Sequence, residues 1–283
     1  MTGPEVASFA ARDGVEIATA SWGPQDGSPL LVLVHATGFC KEVCAPIVDD
    51  LGEIRTGFRA VAIDQRAHGD SGRSVPPFDW WDVGKDIVEV ASLSSPVIGI
   101  GHSAGGAALL LAELTRPGTF ASLLLVEPIV FPPPYGRFPD NPMSAMARRR
   151  RERFASREEA TANWRSKPAF AQWDSRVLWA YAKGGLRPDG DEFTLKCDRD
   201  DEAEFFMAAT QHRAWDRLSE IRTPSIVIAG EHSTTHQEPF LQKLIARLEG
   251  ATYEIIPATG HMVWMERPGL IAAHAAQLID DLR

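Results

Sequence analysis

The chain of 283 residues is predicted to form an α/β fold, in which a doubly wound, mostly parallel sheet carries an inserted helical cap. Three observations predict this. Short apolar runs alternate with helical patterns in the first half of the chain, which is typical of a parallel sheet covered by helices. The alternation stops at Pro128, beyond which prolines that cannot lie in a central strand accumulate. It resumes after Arg213, which marks the end of the insertion.

The first half of the chain supplies most of the predicted core. Residues 6–11 and 15–22 are predicted strands on either side of Asp13 and Gly14, a strong hairpin turn signal. The continuous apolar run over 30–35 is typical of a strand buried on both faces of a parallel sheet. The elements that follow are a helix over 45–54, a strand over 59–64, a helix over 82–93, a strand over 96–102, a helix over 107–114 and a strand over 122–127.

The cap is predicted to comprise residues 132–213, and the core to comprise residues 1–131 and 214–283. Asn141 and Pro142 suit a helix N-cap and the first helical position. Ser156 and Glu159 form a capping box for another helix. The predicted elements of the cap are helices over 143–154, from 156, over 168–183 and over 201–212, with a short strand over 193–197. The core then ends with a strand over 225–229, a helix over 239–248, a strand over 252–256 and a helix over 268–282.

The insertion is rich in aromatic residues and contains a run of arginines. The aromatic side chains are expected to form mainly the core of the cap, and any that face the cleft would favour an apolar or aromatic substrate. Residues 148–151 are expected to be a solvated helix face balanced by nearby glutamates, with attraction of an anionic substrate such as an acyl-CoA as the weaker interpretation. The aromatic residues are Trp164, Phe170, Trp173, Trp179 and Tyr181.

Composition limits the classes of partner. Lys and Arg number 29 against 38 Asp and Glu, a net charge of -9, and an acidic chain without a long basic tract is a poor candidate for binding nucleic acid or an anionic membrane. No apolar stretch approaches the length of a membrane span. We therefore expect a small-molecule substrate and no nucleic acid or membrane partner, with a monomer or homodimer as the oligomeric state.

The first residues and the cysteines predict a cytoplasmic protein. Residues 1–5 lack the basic and apolar regions of a secretory signal. The chain has three cysteines, an odd number that favours a reducing compartment. Cys40 and Cys44 have no second Cys/His pair nearby, so we interpret them as small core residues and expect no metal and no organic cofactor.

A nucleophile is predicted at Ser103, in the sequence Gly-His-Ser-Ala-Gly that joins a predicted strand to a predicted helix. This pattern is typical of a nucleophile elbow, which holds a serine on a strained turn. Gly101 and Gly105 would let the strand and helix backbones come close, where a side chain would clash. The positive end of the helix would favour an oxyanion beside the serine.

A serine nucleophile needs a base, and the base needs a carboxylate. His261 lies in a Gly-containing loop between the last predicted strand and the last helix. The order Ser, acid, His suits this kind of sheet. His35 and His68 are rivals at strand ends or in the loops that follow, and His102 is interpreted as structural because sequence neighbours on a sharp turn point apart.

These motifs together resemble the α/β-hydrolase fold superfamily, in particular serine hydrolases and esterases with a helical cap. The resemblance covers nearly the whole chain and includes residues 35–39, 64–71, 101–106 and 260–261. Ala36 and Ala67 stand where the family usually has glycine. The resemblance implies an oxyanion hole formed by the backbone N–H groups of Thr37 and Ala104, which require no particular side chain.

The triad acid departs from the common family pattern. Its usual position, three residues after Gly230, holds Ser233. The chain instead resembles the haloalkane dehalogenase and luciferase-like branch, in which a Glu follows the strand after the elbow helix, and this implies Glu127. Glu231 is the alternative acid, and an ion pair between Glu127 and a cap arginine is the plainer interpretation of Glu127.

The resemblance also constrains the reaction. Haloalkane dehalogenases and epoxide hydrolases of this fold carry an aspartate where this chain has Ser103, so both activities are disfavoured. Serine with His and Glu implies hydrolysis of a small or medium apolar ester, thioester or lactone through an acyl-enzyme. Two alternatives stay open: C–C hydrolase, hydroxynitrile lyase or cofactor-free oxygenase chemistry that uses His261 as a base, and an inert ligand-binding protein.

Overall fold

Two β-sheets and ten α-helices are described for residues 3–282 by a computed structural model. The strands are β1 (Glu5–Ala10), β2 (Glu16–Trp22), β3 (Leu30–Val34), β4 (Arg59–Ile63), β5 (Val97–His102), β6 (Ser122–Val126), β7 (Arg153–Phe154), β8 (Leu186–Asp189), β9 (Glu192–Leu195), β10 (Ser225–Gly230) and β11 (Thr252–Ile256). The helices are α1 (Ala45–Ile54), α2 (Trp80–Ala91), α3 (Ala104–Thr115), α4 (Pro142–Arg148), α5 (Arg157–Arg165), α6 (Ser175–Gly184), α7 (Arg199–Ala208), α8 (Phe240–Ile245), α9 (Val263–Glu266) and α10 (Pro268–Asp281).

The larger sheet has eight strands in the order β1-β2-β4-β3-β5-β6-β10-β11. The β1–β2 and β2–β4 pairs are antiparallel, and the other pairs are parallel. The predicted doubly wound, mostly parallel sheet is therefore confirmed. This strand order places β6 between β5 and β10, so the loops after these three strands meet at one edge.

Helices pack on both faces of this sheet because its strands are apolar on both sides. Successive side chains of a strand point to opposite faces. Leu31 and Leu33 of β3 belong to the cluster that includes apolar residues of α1 and α10. Leu30 and Val32 of the same strand belong to the cluster that includes apolar residues of α2 and α3. The continuous apolar run is thus a strand buried on both faces, as predicted.

The segment between β6 and β10 carries α4 to α7 together with a small sheet in the order β7-β9-β8. The predicted helix over 143–154 is wrong beyond Arg148, because Arg153 and Phe154 pair with β9 instead. The predicted helix over 168–183 is also interrupted: Asp174 caps the N-terminus of α6, and its own N–H donates to Met265 O. The boundaries of the insertion at 132 and 213 remain a prediction.

The aromatic side chains of this segment are largely internal. Trp164, Trp173 and Tyr181 are buried, whereas Trp179 is exposed. The prediction of a solvated arginine face is wrong for Arg150, whose guanidinium turns inward and pairs with Glu202. Two other arginines of the run are paired as well: Arg148 with Asp200 and Arg151 with Glu159.

The three cysteines are internal. Cys40, Cys44 and Cys197 are free and buried, and burial raises the pKa of each thiol well above its usual value. Within residues 3–282, none of the helices is long and apolar enough to cross a membrane. Residues 1 and 2 of the segment interpreted as lacking a signal lie outside the described part of the chain, as does residue 283.

Candidate active site

Ser103 occupies a strained turn between β5 and α3. Its φ is +55°, a left-handed value that is rare for a residue other than glycine and typical of functional sites. A Cβ on Gly101 would lie 2.6 Å from Gly105 O, and a Cβ on Gly105 would lie 2.1 Å from Val34 O. Both predicted clashes are confirmed. Glycine at 101 lets β5 pass close to α3, and glycine at 105 lets α3 pass close to the end of β3.

His261 lies beside the serine, in the loop between β11 and α9. Its Nε2 is 3.1 Å from Ser103 Oγ, and its Nδ1 is 2.5 Å from Glu127 Oε2. Because a carboxylate accepts hydrogen bonds, Nδ1 carries the proton and Nε2 is free to accept the proton of the serine hydroxyl. Ser103, His261 and Glu127 therefore form one continuous hydrogen-bonded chain.

Glu127 directly follows β6, has a φ of +46° and is fully buried. Its Oε1 accepts the Gly230 N–H at 2.8 Å, and its Oε2 accepts the Ser233 hydroxyl at 2.8 Å. Both donors belong to β10 or the loop after it, and β10 lies next to β6. The adjacency of the two strands thus surrounds a buried carboxylate with the donors that it needs.

Glu127 is held ionised. Burial alone would raise its pKa, but the neighbouring imidazoles of His236 and His261 lower the pKa of this carboxyl well below its usual range. His236 Nδ1 lies 3.4 Å from Glu127 Oε2, and its Nε2 bonds Pro128 O at 3.0 Å. An ionised acid is what a neighbouring histidine needs when it accepts a proton.

The alternative acid lies elsewhere. The Glu231 side chain is 54% exposed, and its carboxylate accepts the N–H of Ala258 at 2.9 Å. The structure does not bring Glu231 to His261. It also shows no arginine among the described partners of Glu127, so the ion-pair interpretation of that residue is not supported.

The rival histidines are buried supports. His102 Nε2 donates to the carbonyl of His261 at 2.9 Å, and burial lowers the pKa of His102 to about 3. His35 Nε2 accepts the N–H of Gln65, while His68 Nδ1 donates to Arg66 O. Burial lowers the pKa of His35 well below its usual value and that of His68 to about 4. None of the three has a hydrogen bond to Ser103.

Two groups near Glu127 were missed by the sequence analysis. His236 is 1% exposed, and the Thr235 hydroxyl lies 3.3 Å from Glu127 Oε2. The available signal was the cluster of polar side chains over residues 233–236, which begins three residues after the end of β10. Such a cluster at the carboxyl end of a parallel strand is a common position for a binding or catalytic site.

Thr37 and Ala104 lie at two loops that flank the serine. Ala104 is the first residue of α3, a position where a backbone N–H has no acceptor within its own helix. The Ala36 carbonyl, which shares a peptide unit with the Thr37 N–H, bonds the Phe39 N–H at 3.3 Å and His35 Nδ1 at 2.7 Å. In a trans peptide the N–H points opposite to the carbonyl, so these two bonds fix the direction of the Thr37 N–H.

Glu127, His236 and His261 also form a group whose ligand atoms lie within 4.8 Å of one another. Two ligands of a tetrahedral metal, each about 2 Å from it, lie roughly 3 Å or more apart. The separation of 2.5 Å between His261 Nδ1 and Glu127 Oε2 is too short for that and matches a hydrogen bond from the imidazole N–H to the carboxylate. The geometry therefore favours an acid–base pair at this position over a metal centre.

Access to the serine is restricted. Ser103 is 8% exposed and the His261 side chain is 26% exposed. Burial reduces the screening of charge by water, which strengthens the interactions of an oxyanion with nearby N–H groups.

The chain is similar in sequence and in fold to known hydrolases. A family model described as the alpha/beta hydrolase family matches residues 31–274. The peroxisomal membrane protein LPX1 of Saccharomyces cerevisiae is 25% identical over an alignment of 282 residues. The alignment covers 85% of this chain and 72% of that relative. A crystal structure of the yeast peroxisomal α/β-hydrolase Lpx1 covers 100% of this chain and 90% of its own, with a TM-score of 0.82 and 19% identity.

Two thioesterases are also similar to this chain. The type I acyl-CoA thioesterase mpaH of Penicillium brevicompactum is 27% identical over an alignment of 152 residues. The alignment covers 46% of this chain and only 35% of that relative. The thioesterase domain from the curacin biosynthetic pathway has a TM-score of 0.76 and 20% identity, and the alignment covers 98% of this chain and 99% of that domain. At these identities the structural comparisons show a shared fold.

Proposed function

This chain belongs to the alpha/beta hydrolase family, and we propose that it is a serine hydrolase that cleaves a small or medium apolar carboxylic ester, or a thioester or lactone, through an acyl-enzyme on Ser103. The observation that carries the proposal is the hydrogen-bonded chain from Ser103 Oγ through His261 to Glu127. Similar proteins that are named thioesterases support acyl transfer as the reaction class.

In the first half-reaction, Ser103 Oγ attacks the carbonyl carbon while His261 Nε2 takes its proton. The distance of 3.1 Å between these atoms is within the range for direct proton transfer. The imidazolium that forms is stabilised by Glu127, which remains a carboxylate. The backbone N–H groups of Thr37 and Ala104 would bind the oxyanion of the tetrahedral intermediate.

Collapse of the tetrahedral intermediate completes the acylation, and deacylation by water is the second half-reaction. His261 delivers its proton to the leaving alcohol or thiol, which departs and leaves an acyl ester on Ser103. A water molecule then loses a proton to His261 Nε2 and attacks the acyl carbonyl, and the serine is released when it regains that proton. The balance is one water consumed for each acid and alcohol formed. The sequence of steps uses no metal and no organic cofactor.

The insertion brings aromatic side chains to the loop that carries Thr37 and pairs three of its arginines with acids. Phe39 contacts Trp173 and Tyr181 at ring centroid distances of 5.3 and 5.0 Å, so aromatic groups surround the loop that carries Thr37. Arg148, Arg150 and Arg151 are each paired with an acidic side chain, which weakens the case for attraction of an anionic substrate. The residues 132–213 are proposed to act as the cap over this site.

The cytoplasm is the proposed location. Three buried and unpaired cysteines suit a reducing compartment. The word "peroxisomal" in the name of the yeast relative describes that relative. A monomer or homodimer remains the expected oligomeric state.

The test combines a covalent label with a substrate series. Incubation with a fluorophosphonate followed by peptide mass spectrometry is expected to place one adduct on Ser103. A p-nitrophenyl ester series of increasing acyl length, together with matched thioesters, is expected to show turnover with a preference for short or medium chains. An unlabelled serine and no turnover across both series, combined with tight binding of an apolar ligand, would instead favour a ligand-binding protein.

A further inference from the structure

A buried chain of polar groups from the insertion contacts the loop after β3. The Tyr181 hydroxyl donates to the carbonyl of Gly38 at 3.1 Å, and Arg150 Nη2 donates to the Tyr181 oxygen at 2.5 Å. Arg150 Nη1 in turn pairs with the carboxylate of Glu202. The acid, the guanidinium and the phenol thus end on a backbone carbonyl next to Thr37.

The loop is shaped to receive this chain. Gly38 has a φ of +84°, and a Cβ at this position would lie 2.5 Å from Glu202 Oε1 and 3.1 Å from Arg150 Nη1. The ion pair of the insertion therefore packs directly against the backbone of Gly38. Any other residue would be strained by the left-handed conformation and would also displace the ion pair.

The next residue is held by the insertion as well. The Phe39 ring lies against Tyr181 and Trp173, and the Phe39 N–H donates to Ala36 O at 3.3 Å. Ala36 O belongs to the peptide unit whose N–H is that of Thr37. Tyr181 thus contacts both residues that follow Thr37, one through its hydroxyl and one through its ring.

The electrostatics keep the Tyr181 hydroxyl a neutral donor. Tyr181 is 1% exposed, and burial raises the pKa of this phenol above its usual value. Burial by itself would lower the pKa of Arg150, but Tyr181 and Glu202 raise it, so the guanidinium stays charged. A charged donor to the phenol oxygen strengthens the hydrogen bond that the phenol makes in turn.

We propose that Tyr181, which Arg150 and Glu202 hold in place, is a positioning residue that orients the Thr37 N–H for oxyanion binding. The oxyanion hole thereby depends on the packing of the insertion against the core. This inference rests on the proposed acyl-transfer function.

The test is Tyr181→Phe, which removes the hydroxyl and keeps the ring contacts with Phe39. Because a misplaced reacting group or a lost oxyanion donor lowers turnover by about 10²- to 10³-fold, loosening the loop is expected to lower kcat about tenfold with KM changed less than about twofold. The inhibition constant of a trifluoromethyl ketone, whose Ser103 adduct carries an oxyanion, is expected to rise by the same factor. A purely structural role would not move the two quantities together.

The matched control is Tyr135→Phe, another tyrosine of residues 132–213, whose hydroxyl bonds Asp216 at 2.6 Å on the surface. It is expected to retain wild-type kcat. If Tyr181→Phe does not fold, Glu202→Gln serves as the second variant, with a smaller loss in the same two quantities. A kcat equal to that of the control, or a rise in KM alone, overturns the positioning role.

The two proposals fail in different ways. Wild-type protein that neither turns over any ester nor accepts a fluorophosphonate on Ser103 contradicts the proposed function whatever the variants do. Active wild-type protein with an unaffected Tyr181→Phe variant contradicts only the positioning role. Circular dichroism melting curves for each variant ensure that every rate is measured on folded protein.

Discussion

Replacement of Glu127 by Gln isolates the contribution of the buried acid. Glutamine has nearly the same shape, so the packing after β6 is preserved. It removes the negative charge that faces His261 Nδ1 at 2.5 Å. It also presents an amide that can donate to Nδ1, which would move the imidazole proton to Nε2 and prevent that nitrogen from accepting the serine proton.

The magnitude follows from the burial of the pair. Opposite charges about 4 Å apart interact with roughly 4 kcal/mol at an effective dielectric constant of about 20. The Glu127 side chain is fully buried and that of His261 is 26% exposed, so screening by water is limited. Since about 1.4 kcal/mol corresponds to a factor of ten, loss of the charge alone lowers kcat by about 10³. The unfavourable tautomer brings the expected loss to about 10⁴.

The assay compares kcat for a p-nitrophenyl ester in wild-type, Glu127→Gln and Glu231→Gln proteins. Glu231 is the matched control because its carboxylate is exposed and bonds Ala258 instead of His261. Its variant is expected to remain within about twofold of wild type, as an exposed polar group contributes little. A Glu127→Gln variant that keeps a tenth or more of the activity, or a Glu231→Gln variant that loses as much, refutes the assignment of the acid.

Three other predictions concern the supports of the site. Ser233→Ala removes the hydroxyl that donates to Glu127 at 2.8 Å and should lower kcat about three- to tenfold, as expected for a hydrogen bond worth about 1 kcal/mol. The control Ser219→Ala changes an exposed serine and should keep wild-type kcat. Equal kcat values for the two variants would show that the Ser233 hydroxyl is dispensable. Gly105→Ala places a Cβ 2.1 Å from Val34 O and should destabilise the fold by about 3 kcal/mol or more, whereas Gly3→Ala, with nothing within 4 Å, should leave urea unfolding unchanged. Burial lowers the pKa of His102 to about 3 and of His68 and His212 to about 4. These rings bind protons in the unfolded chain below about pH 6.5 but not in the fold, so each should reduce the free energy of unfolding by up to about 1.4 kcal/mol per pH unit as pH falls from 6.5 towards 4. Urea titrations at pH 7.5 and pH 5 measure the free energy of unfolding. The same free energy at both pH values would contradict the lowered pKa values of these histidines.

Local constraints explain what the sequence could predict. The elbow at Ser103 needs glycine at 101 and 105 because the backbones of β5, α3 and the end of β3 pass close together there, and that need is visible in five consecutive residues. The strands of the core were predicted to within one or two residues at each end, since long apolar runs between turn residues are strong signals. The assignment of His261 as the base rests on the loop context after the last strand.

Strand order explains what the sequence could not predict. His236 and Thr235 approach Glu127 only because β10 lies beside β6, and the order of strands in a sheet is not encoded in any short pattern. The arginine run shows the same limit. Its composition favoured a solvated helix, yet Arg150 turns inward because Glu202 and Tyr181, 52 and 31 residues away along the chain, provide its partners in the fold.

In the proposed mechanism, Ser103 carries the acyl group during turnover. Acid quenching of the reaction with a p-nitrophenyl ester within the first turnover, followed by peptide mass spectrometry, tests it directly. The expected result is a burst of p-nitrophenol equal to the enzyme concentration, with the mass of the acyl group on the peptide that contains Ser103. Steady turnover without a burst or an acylated serine would contradict the claim and would favour chemistry in which His261 acts as a base without a covalent intermediate.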